Sequence, residues 1–173
     1  VRRMAPPQIA APVPRHSLVD TVYETLVEAI VSGQLAPGTD LNTVALAEQL
    51  DVSRTPIKEA LKLLAHDGLV EHIKDHKARV ARFSRRDVSE IYEVRNCLEA
   101  AAAERAAKRI GDAALADLRR DADALLASQS SVDWAARAME FDIRFHDVLA
   151  AACGNERLRS EIARYRLLVR SFC

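Results

Sequence analysis

The stretch Val52-Ser53-Arg54-Thr55-Pro56-Ile57-Lys58-Glu59-Ala60-Leu61 decides how this chain is read. It reads as the start of a short helix. Ser53 is placed to cap that helix with its hydroxyl, and Pro56 falls in the first turn, where a missing N–H costs little. Ile57, Ala60, Leu61 and Leu64 recur at helical spacing and face inward. Arg54, Lys58 and Lys62 follow one another at i, i+4 on the other side. A helix with donors concentrated at its exposed N-terminal end can enter a DNA major groove. Spacing alone leaves a second reading open, a solvated helix face with ordinary i, i+4 charges.

The residues before this helix supply two more. Ser17 opens the first, in which Leu18, Val22, Leu26 and Ile30 share a face, and Gly33 ends it. Asn42 or Thr43 starts the second, with Val44, Leu46, Ala47 and Leu50, and Asp51-Val52 forms a tight turn. The third helix is predicted from about residue 54 to 66, closed by Gly68. Two extended runs follow, near 69–73 and 78–83, joined by Lys74-Asp75-His76-Lys77 as a hairpin. Three helices and a hairpin make a winged helix-turn-helix over residues 17–83. Ahead of it, residues 1–16 are Pro-rich and carry Arg2, Arg3 and Arg15, which reads as a flexible arm, either a plain tail or one that touches DNA.

If DNA is the ligand, side-chain chemistry divides the roles. Arg54 can grip guanine O6 and N7 with two donors, and Lys58 can reach a base or a phosphate. Ser53 and Thr55 can bond phosphate oxygens near the helix N-terminus, where the dipole also favours an anion. On the wing, Lys74, Lys77 and Arg79 can contact the backbone or the minor groove. His66, His72 and His76 read as lone surface histidines.

Beyond residue 83 the pattern changes. Ser84-Arg85-Arg86-Asp87 is a capping box with Asp in the Glu/Gln place. Helices are predicted at about 86–109, 113–128, 133–152 and 156–171, with Gly111 and Gly154 as stops, and the Ala-rich run 99–107 suits close helix packing. The fold class is therefore mainly α, a winged helix-turn-helix followed by an all-α bundle over residues 84–173.

Charge distribution agrees with this division. The chain of 173 residues has zero net charge, but residues 51–86 carry nine Lys/Arg against five Asp/Glu, and residues 87–173 carry thirteen against fifteen. A basic segment joined to a slightly acidic one fits a nucleic-acid reader attached to something else. Cys97, Cys153 and Cys173 show no pairing pattern, as in a reducing cytosol. No apolar run approaches the roughly 18 residues of a membrane span, and the N-terminus has no signal-peptide core. A cytoplasmic protein without a membrane partner is expected.

In the second segment, Asp142 and His146 stand one turn apart and could share a divalent metal, although two donors are too few for a site and an Asp–His hydrogen bond is the other reading. Arg95 could hold an organic-acid carboxylate as a bidentate donor, or pair with Glu99 at i+4. A metal-dependent hydrolase built on Asp142 and His146 lacks a third ligand, a positioned base and a nucleophile, so no enzyme is expected. A helical adaptor that binds only protein fits the basic bias of residues 51–86 poorly.

The order Ser32-Gly33-Gln34-Leu35-Ala36-Pro37-Gly38, then Leu46-Ala47-Glu48-Gln49-Leu50-Asp51-Val52-Ser53-Arg54-Thr55-Pro56-Ile57-Lys58-Glu59-Ala60-Leu61, then Leu64 and Asp67-Gly68-Leu69-Val70, resembles the N-terminal domain of the GntR family of bacterial transcription regulators. The resemblance implies a homodimer on a near-palindromic operator in double-stranded DNA, with Ser53, Arg54, Thr55 and Lys58 at the contacting positions. Val44 stands where many members of the family have an arginine. Further along, Arg95-x-x-Leu98-Glu99, Phe141-Asp142-x-x-x-His146-x-x-Leu149 and Gly154-Asn155-x-x-Leu158 resemble the FadR subgroup, whose C-terminal bundle (FCD) binds a small effector. That resemblance implies a repressor controlled by a small organic acid. It also implies a zinc or nickel ion held by Asp142, His146 and two later histidines. No histidine follows His146, and the bundle of the family runs past Cys173, so the helical domain is expected to be incomplete.

Overall fold

The computed structural model describes residues 17–73 and 77–172. Its elements run α1 (Leu18–Val31), β1 (Asp40–Leu41), α2 (Thr43–Gln49), α3 (Arg54–His66), β2 (Val70–Ile73), β3 (Lys77–Val80), α4 (Arg85–Ala106), α5 (Asp112–Ala127), α6 (Trp134–Ala152) and α7 (Glu156–Arg170). They divide into two compact units, the second beginning at Phe83.

In the first unit the caps set the helix starts. Ser17 and Asp20 form a reciprocal capping box on α1, and the Asn42 side chain accepts from Val44 N and Ala45 N at the start of α2. Val22, Leu26 and Ile30 of α1 are buried, as are Leu46 and Ala47 of α2 and Pro56, Ile57, Ala60, Leu61 and Leu64 of α3. The inward stripe of α3 is thus the one its spacing predicts, and α3 packs on both α1 and α2. Tyr23 Oη donates to Asp67 Oδ2 at 2.7 Å, tying α1 to the C-cap of α3. Burial and the adjoining Asp67 carboxylate push the Tyr23 hydroxyl far above the ordinary tyrosine range, so it stays a donor.

The sheet has three strands in the order β1-β3-β2, all antiparallel. The hairpin of β2 and β3 lies where expected, but β3 ends at Val80 rather than Phe83, and β1 adds an unexpected third strand. Leu41, Val70, Ala78 and Val80 point into the core. Gly38 starts the turn into β1 with φ +86° and bonds Val80 O through its N–H. A Cβ there would overlap the Arg82 guanidinium, which can shift, but the left-handed backbone cannot. Gly38→Ala should therefore cost about 1–2 kcal/mol of unit stability, read as a lower urea midpoint.

The second unit is built from α4 to α7. The Ser84–Asp87 capping box opens α4, as expected, and holds the Asp87 carboxyl below its usual range through the Ser84 hydroxyl and backbone. Gly111 is the N-cap of α5 (φ −74°) rather than a stop, while Gly154 does end α6 with φ +64°. The small residues Ala102 and Ala106 of α4 are buried, and α4 packs against α6 and α7. Ala102, Ala150, Cys153 and Ile162 form the core there, flanked by Leu98 and Leu158. Arg105 Nε donates to Cys153 O at 3.0 Å and so satisfies a carbonyl at the C-terminal end of α6. Among the described residues, no helix is long and apolar enough to cross a membrane.

Candidate nucleic-acid interface and effector cavity

The first four N–H groups of any helix have no partner within it. On α3 one of the four positions is Pro56, which has no N–H, and the other amides have no side-chain cap. Ser53 sits at the N-cap with extended backbone (φ −70°, ψ 164°), yet its hydroxyl makes no capping bond, which corrects the expectation from its residue type. The first turn carries no acidic residue either. The N-terminal end of α3 therefore offers free donors and an uncompensated positive dipole, a setting that favours an oxyanion.

Arg54, Thr55 and Lys58 are all exposed at that end. Neither Arg54 nor Lys58 has an ion-pair partner among the described residues. The third cation of the stripe differs: Lys62 Nζ lies 2.8 Å from Glu59 Oε1, a local pair at i, i+3. The cationic face thus carries unpaired charges in its first two turns and an ordinary surface pair beyond them. Val44, at the start of α2, is 48% exposed and offers an apolar surface.

On the wing, Lys74 lies outside the described residues, and Lys77 is exposed at the start of β3. Arg79 is not a free cation. Its Nε donates to Asp40 Oδ1 at 2.7 Å, across the β1–β3 register that pairs the two residues. The Arg79 guanidinium holds the Asp40 carboxyl below its usual range, and Asp40 raises Arg79 in return. Neither sequence motif nor local spacing signals this pair, because 39 positions separate its members.

The second unit has a separate cluster. Arg95 donates Nε and Nη2 to Glu99 Oε1 at 3.1 and 2.8 Å, the i+4 pair that its spacing permits. The same guanidinium lies 5.3 Å from the Tyr92 ring centroid. Arg95 nevertheless lines a cavity of about 200 Å³ together with Tyr92, Asp142, Ile143, Arg166 and Arg170. Arg166 donates to Ile143 O at 3.0 Å and pairs with Asp147. Arg170 has no hydrogen bond or ion pair among the described residues. Three guanidiniums and one carboxylate at a single cavity suit an anionic ligand. The sequence reading found Arg95 and missed Arg166 and Arg170, although their i, i+4 spacing on α7 puts them on one face.

Asp142 and His146 do share one face of α6. His146 Nε2 lies 3.5 Å from Asp142 Oδ1, and its Nδ1 lies 3.5 Å from Glu99 Oε2 of α4. The two carboxylates thus address different ring nitrogens and do not converge on one point. Among the described residues no group of three or more His, Cys, Asp or Glu could hold a metal ion. The residues at hand supply part of a donor set and do not by themselves fit an ion.

Comparison with known proteins accounts for both units. The family model for bacterial regulatory proteins of the gntR family matches residues 18–80, and that for the FCD domain matches residues 90–173. An HTH-type transcriptional regulator from the TAR-I ttuE-ttuC' intergenic region of Agrobacterium vitis is 35% identical over 77% of this chain and 79% of its own length. The HTH-type transcriptional repressor GlaR of Escherichia coli is 30% identical over 84% of this chain and 71% of its own. Among solved structures, E. coli McbR/YncC superposes with a TM-score of 0.67 at 28% identity, covering 90% of this chain and 72% of that one. In none of the three does the chain span the whole relative.

Proposed function

This chain belongs to the gntR family of bacterial regulatory proteins, as a DNA-binding transcription regulator with an FCD domain, and from that membership we propose an effector-controlled repressor whose reading head is the N-terminal end of α3. The single observation that carries the reading is that end itself, with its uncapped amides, the unused Ser53 hydroxyl, and Arg54 and Lys58 exposed and unpaired. Arg54 forks onto a guanine edge and Lys58 meets a base or phosphate, while Ser53 and Thr55 bond the phosphate at the helix N-terminus. Lys77 and Arg79 of the wing meet the backbone. Two copies of the chain seat two such heads on half-sites about one helical turn apart. Phosphate neutralisation gives affinity for any duplex, and the recognition helix gives preference.

The FCD domain takes a small organic acid in the cavity of Arg95, Arg166 and Arg170. Binding there shifts the population between arrangements of the two heads that can and cannot grip the operator. A divalent ion in the FCD domain would draw on Asp142 and His146 together with donors that these two do not supply. The cell compartment is the cytoplasm, where the operator is.

The test is anisotropy of labelled promoter DNA with candidate organic acids added. An acid that releases the parent should need at least tenfold more ligand to release Arg95→Ala, the scale of one lost charge-assisted pair, about 1.4 kcal/mol. Equal release of both proteins would remove Arg95 from the site.

A further inference from the structure

The outward face of the sheet is a row of charges. Along β3, Ala78 and Val80 are buried, so Lys77 and Arg79 alternate with them onto the opposite face. Across that face the register sets Asp40 of β1 on one side of Arg79 and Glu71 of β2 on the other. Arg82 follows two residues after the strand and also acts on the Asp40 carboxylate. Three cations stand against two carboxylates, so the face keeps a positive excess beside the wing.

Within this row the Asp40–Arg79 bond has a specific form. It uses only Nε of the guanidinium. Both terminal nitrogens, with four N–H donors between them, have no hydrogen-bond partner among the described residues. A free arginine loses rotamer freedom when it is fixed on a ligand. One whose Nε is already anchored has lost much of that before it binds, and its planar fork stays open for an oxyanion.

We infer that Asp40 is a positioning residue for DNA binding, holding Arg79 by Nε so that its two terminal amino groups are presented to a backbone phosphate beside the wing. The inference rests on the proposed DNA-binding role of the wing. The occupant is the phosphate backbone because the face is cationic and Lys77 continues it toward the tip of the hairpin. A carboxylate near DNA also repels it, so the anchoring role and the charge of Asp40 act in opposite directions and can be separated.

The experiment is fluorescence anisotropy of the full chain with a short labelled duplex of mixed sequence, repeated as salt is raised. Arg79→Ala should weaken binding about fivefold, the scale of one charge-assisted contact, and lower the salt slope by about one. Asp40→Asn keeps an oxygen for Nε–H and drops the charge, so it should bind at least as tightly as the parent. Asp40→Ala drops both and should bind about threefold or more weaker than Asp40→Asn, and that gap should vanish in an Arg79→Ala background. Equal affinities for the two Asp40 variants, or a gap that persists without Arg79, would overturn the inference while leaving the reading head on α3 intact. A parent with no salt-dependent affinity for the duplex would overturn both the inference and the reading beneath it.

Discussion

Arg54→Ala should lose its preference for the operator over a mixed-sequence duplex while keeping most of its affinity for the latter. Arg54 is the first residue of α3, is exposed, and has no acidic partner among the described residues, so its five donors are available to a ligand. A bidentate arginine on a guanine edge contributes about 1–3 kcal/mol of discrimination at each half-site. With two heads on a near-palindrome that loss occurs twice, so the preference should fall by about thirtyfold at least and by more than about ten-thousandfold at most. Lys58→Ala should instead weaken binding to both duplexes, with a salt slope smaller by about one if it meets phosphate. Competitive anisotropy with the promoter region and a scrambled copy measures both. An Arg54→Ala protein that distinguishes the two duplexes as well as the parent would move recognition away from α3.

How much of this was legible beforehand depends on how far apart the interacting groups lie in the chain. The inward stripe of α3, the Asn42 cap and the Ser84–Asp87 box are set by neighbours within four residues, and their patterns were readable. So was the Arg95–Glu99 pair, although not its outcome, because a guanidinium at that spacing can face its own helix or a ligand. Ser53 was misread in a different way. Residue type favours a cap, but the bond needs a rotamer that turns the hydroxyl back onto the helix, and type does not select it. The strand β1 was invisible because two residues carry no period, and with it went the Asp40–Arg79 pair. The second carboxylate beside His146 was hidden because Glu99 reaches it from another helix. Local rules therefore placed the cationic end of α3, whereas the pairing of Arg79 showed only in the packing of distant segments.

Ile57→Ala should have the larger effect on the fold, and through it on everything the first unit does. Ile57 has no solvent exposure and lies on the inward face of α3, the helix that packs on both α1 and α2. Truncation to alanine removes buried methyl and methylene groups and leaves a cavity, at a cost of about 2–5 kcal/mol. Small domains bury a modest share of their surface and are marginal, and net stabilities start near 5 kcal/mol. The substitution should therefore leave the winged unit partly or wholly unfolded at ordinary temperature. The core of Ala102, Ala150, Cys153 and Ile162 contains none of these residues, so the helical signal of the second unit should persist. Urea unfolding followed by circular dichroism, alongside DNA binding, separates this result from that of Arg54→Ala. The surface variant should keep the parent's unfolding curve and lose discrimination, whereas the core variant should lose both its early transition and its affinity for any duplex. An Ile57→Ala protein that unfolds within about 1 kcal/mol of the parent would mean that α3 can close over the missing side chain. The rigid seating of Arg54 and Lys58 could not then depend on that contact.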